Sequence, residues 1–145
     1  MQWSDTKDAG FSSAASTWLP VAPDYSTVNV KTEQAEPASL LNWHEHLIAM
    51  RRNDPALRNG KQIMLDKNNP SVLSYVREGV GGSPAVVVAL NFTAKTQTIT
   101  LNPGAAGIRG TNIKTLLTDA PSLEQTKSLH DIVLPPFASW IGSLK

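Results

Sequence analysis

The sequence lacks three features that assign many proteins to a class. None of its 145 residues is cysteine, so neither a disulfide framework nor a redox compartment can be inferred. No apolar run approaches the ~20 residues that cross a bilayer, and the N-terminus lacks the basic and apolar regions of a signal peptide. We therefore expect no membrane partner. The location otherwise stays open, with a cytoplasmic one slightly favoured.

Charge of one sign is not in excess either. The 13 basic and 12 acidic residues leave a net charge of +1 and are spread along the chain, whereas a nucleic-acid groove needs clustered Lys and Arg. A chain of this length buries a core large enough to fold without disulfides or a metal. The composition predicts one globular domain, with room for an appendage, and no nucleic-acid partner, metal or cofactor.

Residues 1–36 show neither the 3.6-residue nor the 2-residue period of regular structure. Their composition is polar and rich in small residues, but it is interrupted by Trp3, Phe11, Trp18 and Tyr25. A stretch this long without regular structure is usually a functional loop or a linker, and the aromatics argue against a plain linker. We expect a loop that packs against a partner surface outside this chain; the alternative is a terminal tail.

Residues 37–54 are predicted to form a helix, within a helical segment that reaches residue 57. Pro37 suits the first helical position, and Pro55 ends the helix because the residue before a proline is disfavoured in the α region. Apolar residues recur at steps of three and four, which indicates one apolar stripe. The stripe consists of Leu40, Leu41, Trp43, Leu47, Ile48 and Met50.

Residues 58–145 are predicted to form an antiparallel β-sandwich, because short strands alternate with Gly/Pro turns. Ala85–Phe92 is almost wholly apolar and indicates a central strand covered on both faces, whereas the alternation in Thr96–Leu101 indicates one solvated face. Trp140 lies among apolar residues and is predicted to be in the core. The seven predicted strands are Lys61–Leu65, Val72–Glu78, Ala85–Phe92, Thr96–Leu101, Asn112–Thr118, Ser128–Leu134 and Ala138–Ser143.

Short segments spread over the first 60 residues carry a family resemblance. They are Met1-Gln2-Trp3, Ala9-Gly10-Phe11, Trp18-Leu19-Pro20-Val21, Val28-Asn29-Val30, Ser39-Leu40-Leu41 and Pro55-Ala56-Leu57. This series resembles the C-terminal third of the α-glucosidases of the α-amylase family, glycoside hydrolase family 13 (oligo-1,6-glucosidase, maltase and trehalose-synthase-like enzymes). In those enzymes an Arg-Thr-Pro-Met-Gln-Trp motif lies on the last long loop of a catalytic (β/α)8 barrel.

The resemblance implies a mainly β chain: an antiparallel C-terminal β-sandwich (58–145), preceded by one helix resembling barrel helix 8 (37–57) and a long loop resembling the last barrel loop (1–36). The catalytic Asp, Glu and Asp of the family would lie upstream. The chain alone is therefore expected to be inactive and to support the barrel of a parent enzyme. That parent would hydrolyse terminal α-glucosidic bonds of oligosaccharides by a retaining mechanism.

None of the chain's own carboxylates is predicted to be catalytic. A retaining glycosidase needs two carboxyl groups about 5 Å apart, one on each side of the scissile bond. Asp5 and Asp8 are close in sequence, but they lie in a polar loop and are expected to be solvated or to cap turns. Asp54 is expected to close a helix end and Asp66 to bond the backbone of a turn.

The other reactive residue types show no catalytic or metal-binding spacing. His44 and His46 are two residues apart and face different sides of the predicted helix. His130-Asp131 copies two letters of a pair that holds a catalytic-site Asp in the family, but the family's pair lies upstream of Met-Gln-Trp. No serine sits in a Gly-x-Ser-x-Gly turn, and Gly79–Gly82 lacks the Lys and helix of a phosphate loop.

Gln2 and Trp3 are the candidate site residues. The resemblance places them near the substrate pocket of the full-length parent, at the C-terminal face of the barrel where such active sites lie. They would contact the α-glucoside there, although a structural role is as well supported for Trp3, which would pack the loop onto the barrel.

Two alternatives stay open. The chain is a stand-alone carbohydrate-binding β-sandwich, for which the β half offers only Tyr75 and Trp140 as stacking residues; or its parent is a trehalose synthase. If the parent hypothesis holds, the isolated chain is expected to expose the stripe and the loop aromatics, and therefore to self-associate or to have a disordered segment 1–36. The residues that choose the linkage, or hydrolysis over transfer, would lie upstream.

Overall fold

The computed structural model describes residues 1–110 and 112–145, and these form two compact units, Met1–Met50 and Arg51–Lys145. Most of the regular structure is antiparallel sheet, as the sequence predicts. The described residues include no helix that is both long and apolar enough to cross a membrane. The domain limits at residues 36 and 57, which follow from the family resemblance, stay a prediction.

The first unit contains a short helix that periodicity does not predict. Helix α1, Val30–Ala35, falls inside the stretch expected to be loop. Asn29 begins it as an N-cap: its Oδ1 accepts hydrogen bonds from the backbone N (2.9 Å) and Oγ1 (3.1 Å) of Thr32, and its Nδ2 donates to the Tyr25 carbonyl (2.9 Å). A helix of six residues is too short to show a period, so the cap residue is its only local signal.

Helix α2 runs from Leu40 to Asn53, so the prediction that Pro37 occupies its first position is wrong. Ser39 is the residue that caps it: Ser39 Oγ accepts from Asn42 N (3.2 Å) and the Ser39 carbonyl accepts from Trp43 N (3.0 Å). A serine cap satisfies a free N–H of the first turn, which proline cannot do. The helix ends before Pro55 as predicted.

Helix α3, Pro55–Asn59, is a separate helix, and the predicted helical segment to residue 57 is therefore broken at Asp54. The Asp54 carboxylate accepts hydrogen bonds from Ala56 N (2.8 Å) and Leu57 N (3.2 Å). Asp54 thus caps the start of α3 rather than the end of α2. Proline at the first position of α3 is consistent with its missing N–H.

All seven predicted strands are present within the described part of the second unit, several of them shorter than predicted. Their bounds are β1 Gln62–Met64, β2 Val72–Arg77, β3 Ala85–Asn91, β4 Gln97–Ile99, β5 Ile113–Thr118, β6 Ile132–Leu134 and β7 Ser139–Leu144. Five form an antiparallel sheet in the order β1-β2-β3-β7-β5, and β4 pairs with β6 in a second, two-stranded sheet. The central position of β3, with both faces buried, confirms the prediction for its apolar run.

The core of the second unit lies between these two sheets and centres on Trp140, which is fully buried as predicted. Its indole Nε1 donates to Thr115 Oγ1 at 3.0 Å, so the buried polar atom is satisfied. Ile99 and Leu101 are buried while Thr98 and Thr100 are exposed. This pattern confirms the predicted solvated face of that segment.

Candidate functional site

The backbone of Gln2 and Trp3 is held on two sides. On one side Trp3 N and Ser4 N donate to the Ala9 carbonyl at 2.8 and 3.1 Å. On the other side the carbonyls of Gln2 and Trp3 accept from Val30 N and Lys31 N, both at 3.0 Å. These are the first residues of α1, whose N–H groups have no partner inside the helix. The candidate residues therefore lie on an ordered backbone rather than on a free loop.

The Ala9 carbonyl that accepts from Trp3 N and Ser4 N lies in a left-handed turn. Asp8 (φ 54°), Ala9 (φ 55°) and Gly10 (φ 66°) follow one another in the left-handed region, where Asp is tolerated and Ala is strained. Ala9 is buried, and its carbonyl receives both hydrogen bonds from residues 3 and 4. A Cβ on Gly10 would overlap Ser4 Oγ. The turn is thus maintained by tertiary contacts against its local cost.

The polar side chains of this region are paired with one another. Gln2 Nε2 donates to Asp24 Oδ1 at 2.9 Å, and Lys31 Nζ lies 3.0 Å from Asp5 Oδ1. The hydrogen bond from Lys31 lowers the pKa of Asp5, with smaller contributions from a backbone hydrogen bond and from the charge of Lys31. A carboxyl held ionised in this way is a poor general acid.

Asp8 differs from Asp5 because its Oδ2 is buried and accepts no hydrogen bond from a described residue. The nearest cation is Lys7 Nζ, at 4.0 Å, which is outside hydrogen-bond distance. Asp8 and Gln2 line one cavity of about 330 Å³ together with the side chains of Phe11 and Trp18. The lining of the cavity is mostly apolar and includes two aromatic residues, one carboxylate and one amide.

Large apolar side chains of the first unit are exposed. Trp18 is 92% exposed and Phe11 64%, and Trp3 is half exposed. Helix α2 buries none of its residues, and Leu40 and Ile48 of the predicted stripe point into solvent. Exposed aromatic and aliphatic side chains in such numbers are typical of an interaction surface.

The histidines named from the sequence are not brought together. His44 lies on the exposed face of α2 with its Nδ1 2.9 Å from the Leu40 carbonyl. His130 lines an open cavity of about 500 Å³ in the second unit with Arg109 and Lys127. In residues 1–110 and 112–145 no three His, Asp or Glu side chains are grouped as a metal site would require.

Two exposed aromatic residues of the second unit carry no sequence signal of a binding role. Phe92 follows β3 and is 63% exposed, and Phe137 precedes β7 and is 66% exposed. Tyr75, by contrast, is half-buried in β2. The only local signal for Phe137 is that it follows two prolines in a turn, and Phe92 reads as the last residue of an apolar strand.

Comparison with known proteins identifies a family. The family model "Alpha amylase, catalytic domain" matches residues 1–60. The oligo-1,6-glucosidase of Parageobacillus thermoglucosidasius is 27% identical over all 145 residues, which amount to 25% of that protein. The human amino acid transporter heavy chain SLC3A1 is 38% identical over 96 residues, 66% of this chain and 14% of that protein.

The solved structures agree with the sequence matches. The trehalulose synthase MutB from Pseudomonas mesoacidophila MX-45 superposes on 99% of this chain with a TM-score of 0.82 and 28% identity, over 24% of its own length. The chain thus spans at most a quarter of the length of these three proteins. The family match over residues 1–60 and the superposition of the sheets agree: the chain resembles the C-terminal part of α-glucosidases of the α-amylase family, glycoside hydrolase family 13.

Proposed function

We propose that this chain is the C-terminal part of an α-glucosidase-like glycoside hydrolase and that it supports a catalytic (β/α)8 barrel encoded upstream. The observation that carries the proposal is the exposed apolar surface of the first unit. Its residues match a catalytic domain, yet Trp18 is 92% exposed and helix α2 buries nothing. A barrel packed on this surface would cover side chains that the chain itself leaves in solvent.

The free energy available from this contact is substantial. Full burial of one Leu, Ile or Phe side chain contributes roughly 1.5–3 kcal/mol. Leu40, Ile48 and Phe11 are each about two-thirds exposed, so covering them would contribute on the order of 1–2 kcal/mol each. Together with Trp18 this is comparable to the whole net stability of a typical domain, roughly 5–15 kcal/mol.

The parent would hydrolyse terminal α-glucosidic bonds with retention, using two upstream carboxylates about 5 Å apart. Within this chain, Gln2 and Trp3 would contribute to the substrate pocket. Four backbone hydrogen bonds hold residues 2–4: two to the Ala9 carbonyl and one each from Val30 N and Lys31 N. Gln2 Nε2 donates one N–H to Asp24, so its second N–H could donate to a sugar hydroxyl and its amide oxygen could accept from one.

The source DNA immediately upstream of Met1 tests the proposal directly. We expect an open reading frame that ends in Arg-Thr-Pro and encodes barrel strands with the catalytic carboxylates. A stop codon close to Met1 would refute the parent enzyme. The purified chain should not hydrolyse p-nitrophenyl α-glucoside, because the catalytic carboxylates would be missing, and measurable turnover by the chain alone would contradict this.

Size-exclusion chromatography with light scattering gives a second test. The isolated chain should self-associate or leave residues 1–36 open to protease, because nothing covers its apolar surface. A monomer whose first 36 residues resist protease would argue against a missing barrel.

A stand-alone carbohydrate-binding module is the second candidate. Trp140 is buried and Tyr75 half-buried, which argues against a platform built on these two residues. Saturable quenching of Trp fluorescence by maltose at sub-millimolar concentration would favour the module. The N-terminal residues that support a hydrolase parent also support a trehalose synthase parent. An assay of the complete enzyme on maltose separates the two, because a synthase would form trehalose and a hydrolase would form glucose.

A further inference from the structure

The second unit presents two phenylalanines to solvent from two paired segments. Phe92 and Phe137 are 63% and 66% exposed. The antiparallel pairing of β3 with β7 ends with Leu90 opposite Ser139. Beyond it, Asn91 N donates to the Ala138 carbonyl (2.9 Å) and Phe137 N to the Thr93 carbonyl (3.0 Å), a shift of one residue that keeps the two segments together. We call Phe92 and Phe137 the Phe pair.

One buried side chain fixes both loops that carry the Phe pair. Asn91 is 3% exposed. Its Nδ2 donates to the carbonyls of Lys95 (2.8 Å), Pro135 (2.7 Å) and Leu134 (3.3 Å). Its Oδ1 accepts from the backbone N (2.9 Å) and Oγ1 (2.8 Å) of Thr93. A single amide therefore joins the loop after β3 to the loop before β7, so the two exposed rings stand on a rigid base.

The backbone at Phe137 is strained. Its φ of 56° lies in the left-handed region, which is unfavourable for a large L residue. Strain of this kind persists only where the surrounding structure imposes it, and it is concentrated at functional positions. Here it directs a large apolar side chain outward, where it contributes nothing to the core of this unit.

We propose that the Phe pair is a docking surface for the remainder of the parent protein, a second contact in addition to the exposed face of the first unit. This inference rests on the proposed function. The chain accounts for only 24–25% of the length of relatives that match it end to end, so about three quarters of such a parent lies outside it. The segments 89–94 and 133–137 carry no charged residue, which fits an uncharged apolar partner surface and not an ionic one.

The test places the same substitutions in two contexts, the 145-residue chain and the complete parent. Phe92→Ser combined with Phe137→Asn removes both rings, and Asn tolerates the left-handed backbone. We expect an unchanged or slightly higher melting temperature in the chain, because Asn relieves the left-handed strain, and a fall of about a few °C in the parent, since only there are the rings covered. Val80→Ser is the matched control: Val80 is an exposed apolar residue of the turn that precedes β3, and its substitution should leave both melting temperatures unchanged.

Thiol labelling provides a readout that does not depend on stability. The chain contains no cysteine, so Phe92→Cys introduces one thiol, with Val80→Cys as control. With native cysteines of the parent replaced by Ser, the thiol at residue 92 should react at least about tenfold more slowly in the parent than in the chain. The thiol at residue 80 should react at the same rate in both.

Three outcomes would overturn the inference, and they differ from one another. A stop codon upstream of Met1 removes the partner and refutes the proposed function as well. Equal labelling at residue 92 and equal melting temperatures in an existing parent refute the docking surface alone. Saturable binding of maltoheptaose to the chain that the double variant loses would make the Phe pair a sugar platform instead.

Discussion

The left-handed turn at residues 8–10 gives the sharpest test of how the candidate site is held. Replacing Gly10 by Ala adds a Cβ at φ 66°, where it overlaps Ser4 Oγ. The left-handed backbone costs Ala about 1–2 kcal/mol, offset by about 0.4–1 kcal/mol from the smaller entropy of the unfolded chain. To make room, Ser4 Oγ must leave Thr6 Oγ1, 2.7 Å away, at a cost of about 1 kcal/mol.

The sum predicts a local destabilisation of about 2 kcal/mol. Trp3 N and Ser4 N, which donate to the Ala9 carbonyl, report it through hydrogen exchange measured by NMR. Their exchange should accelerate roughly 30-fold, since 1.4 kcal/mol is a factor of ten, while the amide of Val87 in β3 should be unaffected.

Two controls separate strain from steric overlap. Gly81→Ala adds a Cβ at φ 62° where nothing lies within 4 Å, so it reports strain without a clash. Ser4→Ala removes both the clash and the hydrogen bond with Thr6 Oγ1, so in a Ser4→Ala background Gly10→Ala should cost only the strain, about half of its effect in the native chain. If Gly10→Ala leaves exchange at residues 3 and 4 unchanged, the turn does not hold the candidate site and the reasoning is refuted.

Three further predictions concern single contacts. Gly142→Ala places a Cβ against the Trp140 ring and should cost about 1–3 kcal/mol by overpacking, seen in urea unfolding together with a red shift of Trp emission; an unchanged midpoint would contradict the packing. Asp54→Ala removes the cap of α3 and should cost about 1 kcal/mol, whereas Asp54→Asn should retain most of it in the same urea assay. Lys31→Met should raise the pKa of Asp5 measured by NMR titration, because the lysine hydrogen bond lowers it. Any contribution of the Lys31–Asp5 pair to stability is therefore present above the pKa of Asp in the unfolded chain, and it is lost as the pH falls through the lowered pKa of the folded chain. If the pKa of Asp5 does not move in the variant, Lys31 does not cause its lowering.

The β half was predictable because its signals are local. Apolar runs and alternation located all seven strands, and the uninterrupted valines of β3 correctly indicated burial on both faces. Strand order was not predictable, because nothing in β7 itself states that it lies between β3 and β5. The position of β7 depends on which apolar strand faces pack together around Trp140, and this packing involves the whole unit.

The N-terminal half was less predictable because competing local signals were resolved by distant contacts. Pro37 and Ser39 are both acceptable helix starts, and the outcome follows from hydrogen bonds that Ser39 makes to the first turn of α2. The left-handed conformation of Ala9 has no sequence signal, since alanine disfavours it. The role of Gln2 and Trp3 at a substrate stays a prediction.

The sequence by itself determined the family resemblance, the strands and the candidate residues, because motif letters, apolar period and proline positions are properties of neighbouring residues. Only the tertiary structure decided how those residues are held and which aromatics remain outside. Gln2 and Trp3 are fixed by a turn and a helix that lie several residues to tens of residues away in the chain. The two loops that carry the Phe pair are joined by Asn91, which donates to carbonyls more than 40 residues away, and such long-range hydrogen bonds cannot be predicted from a local sequence pattern.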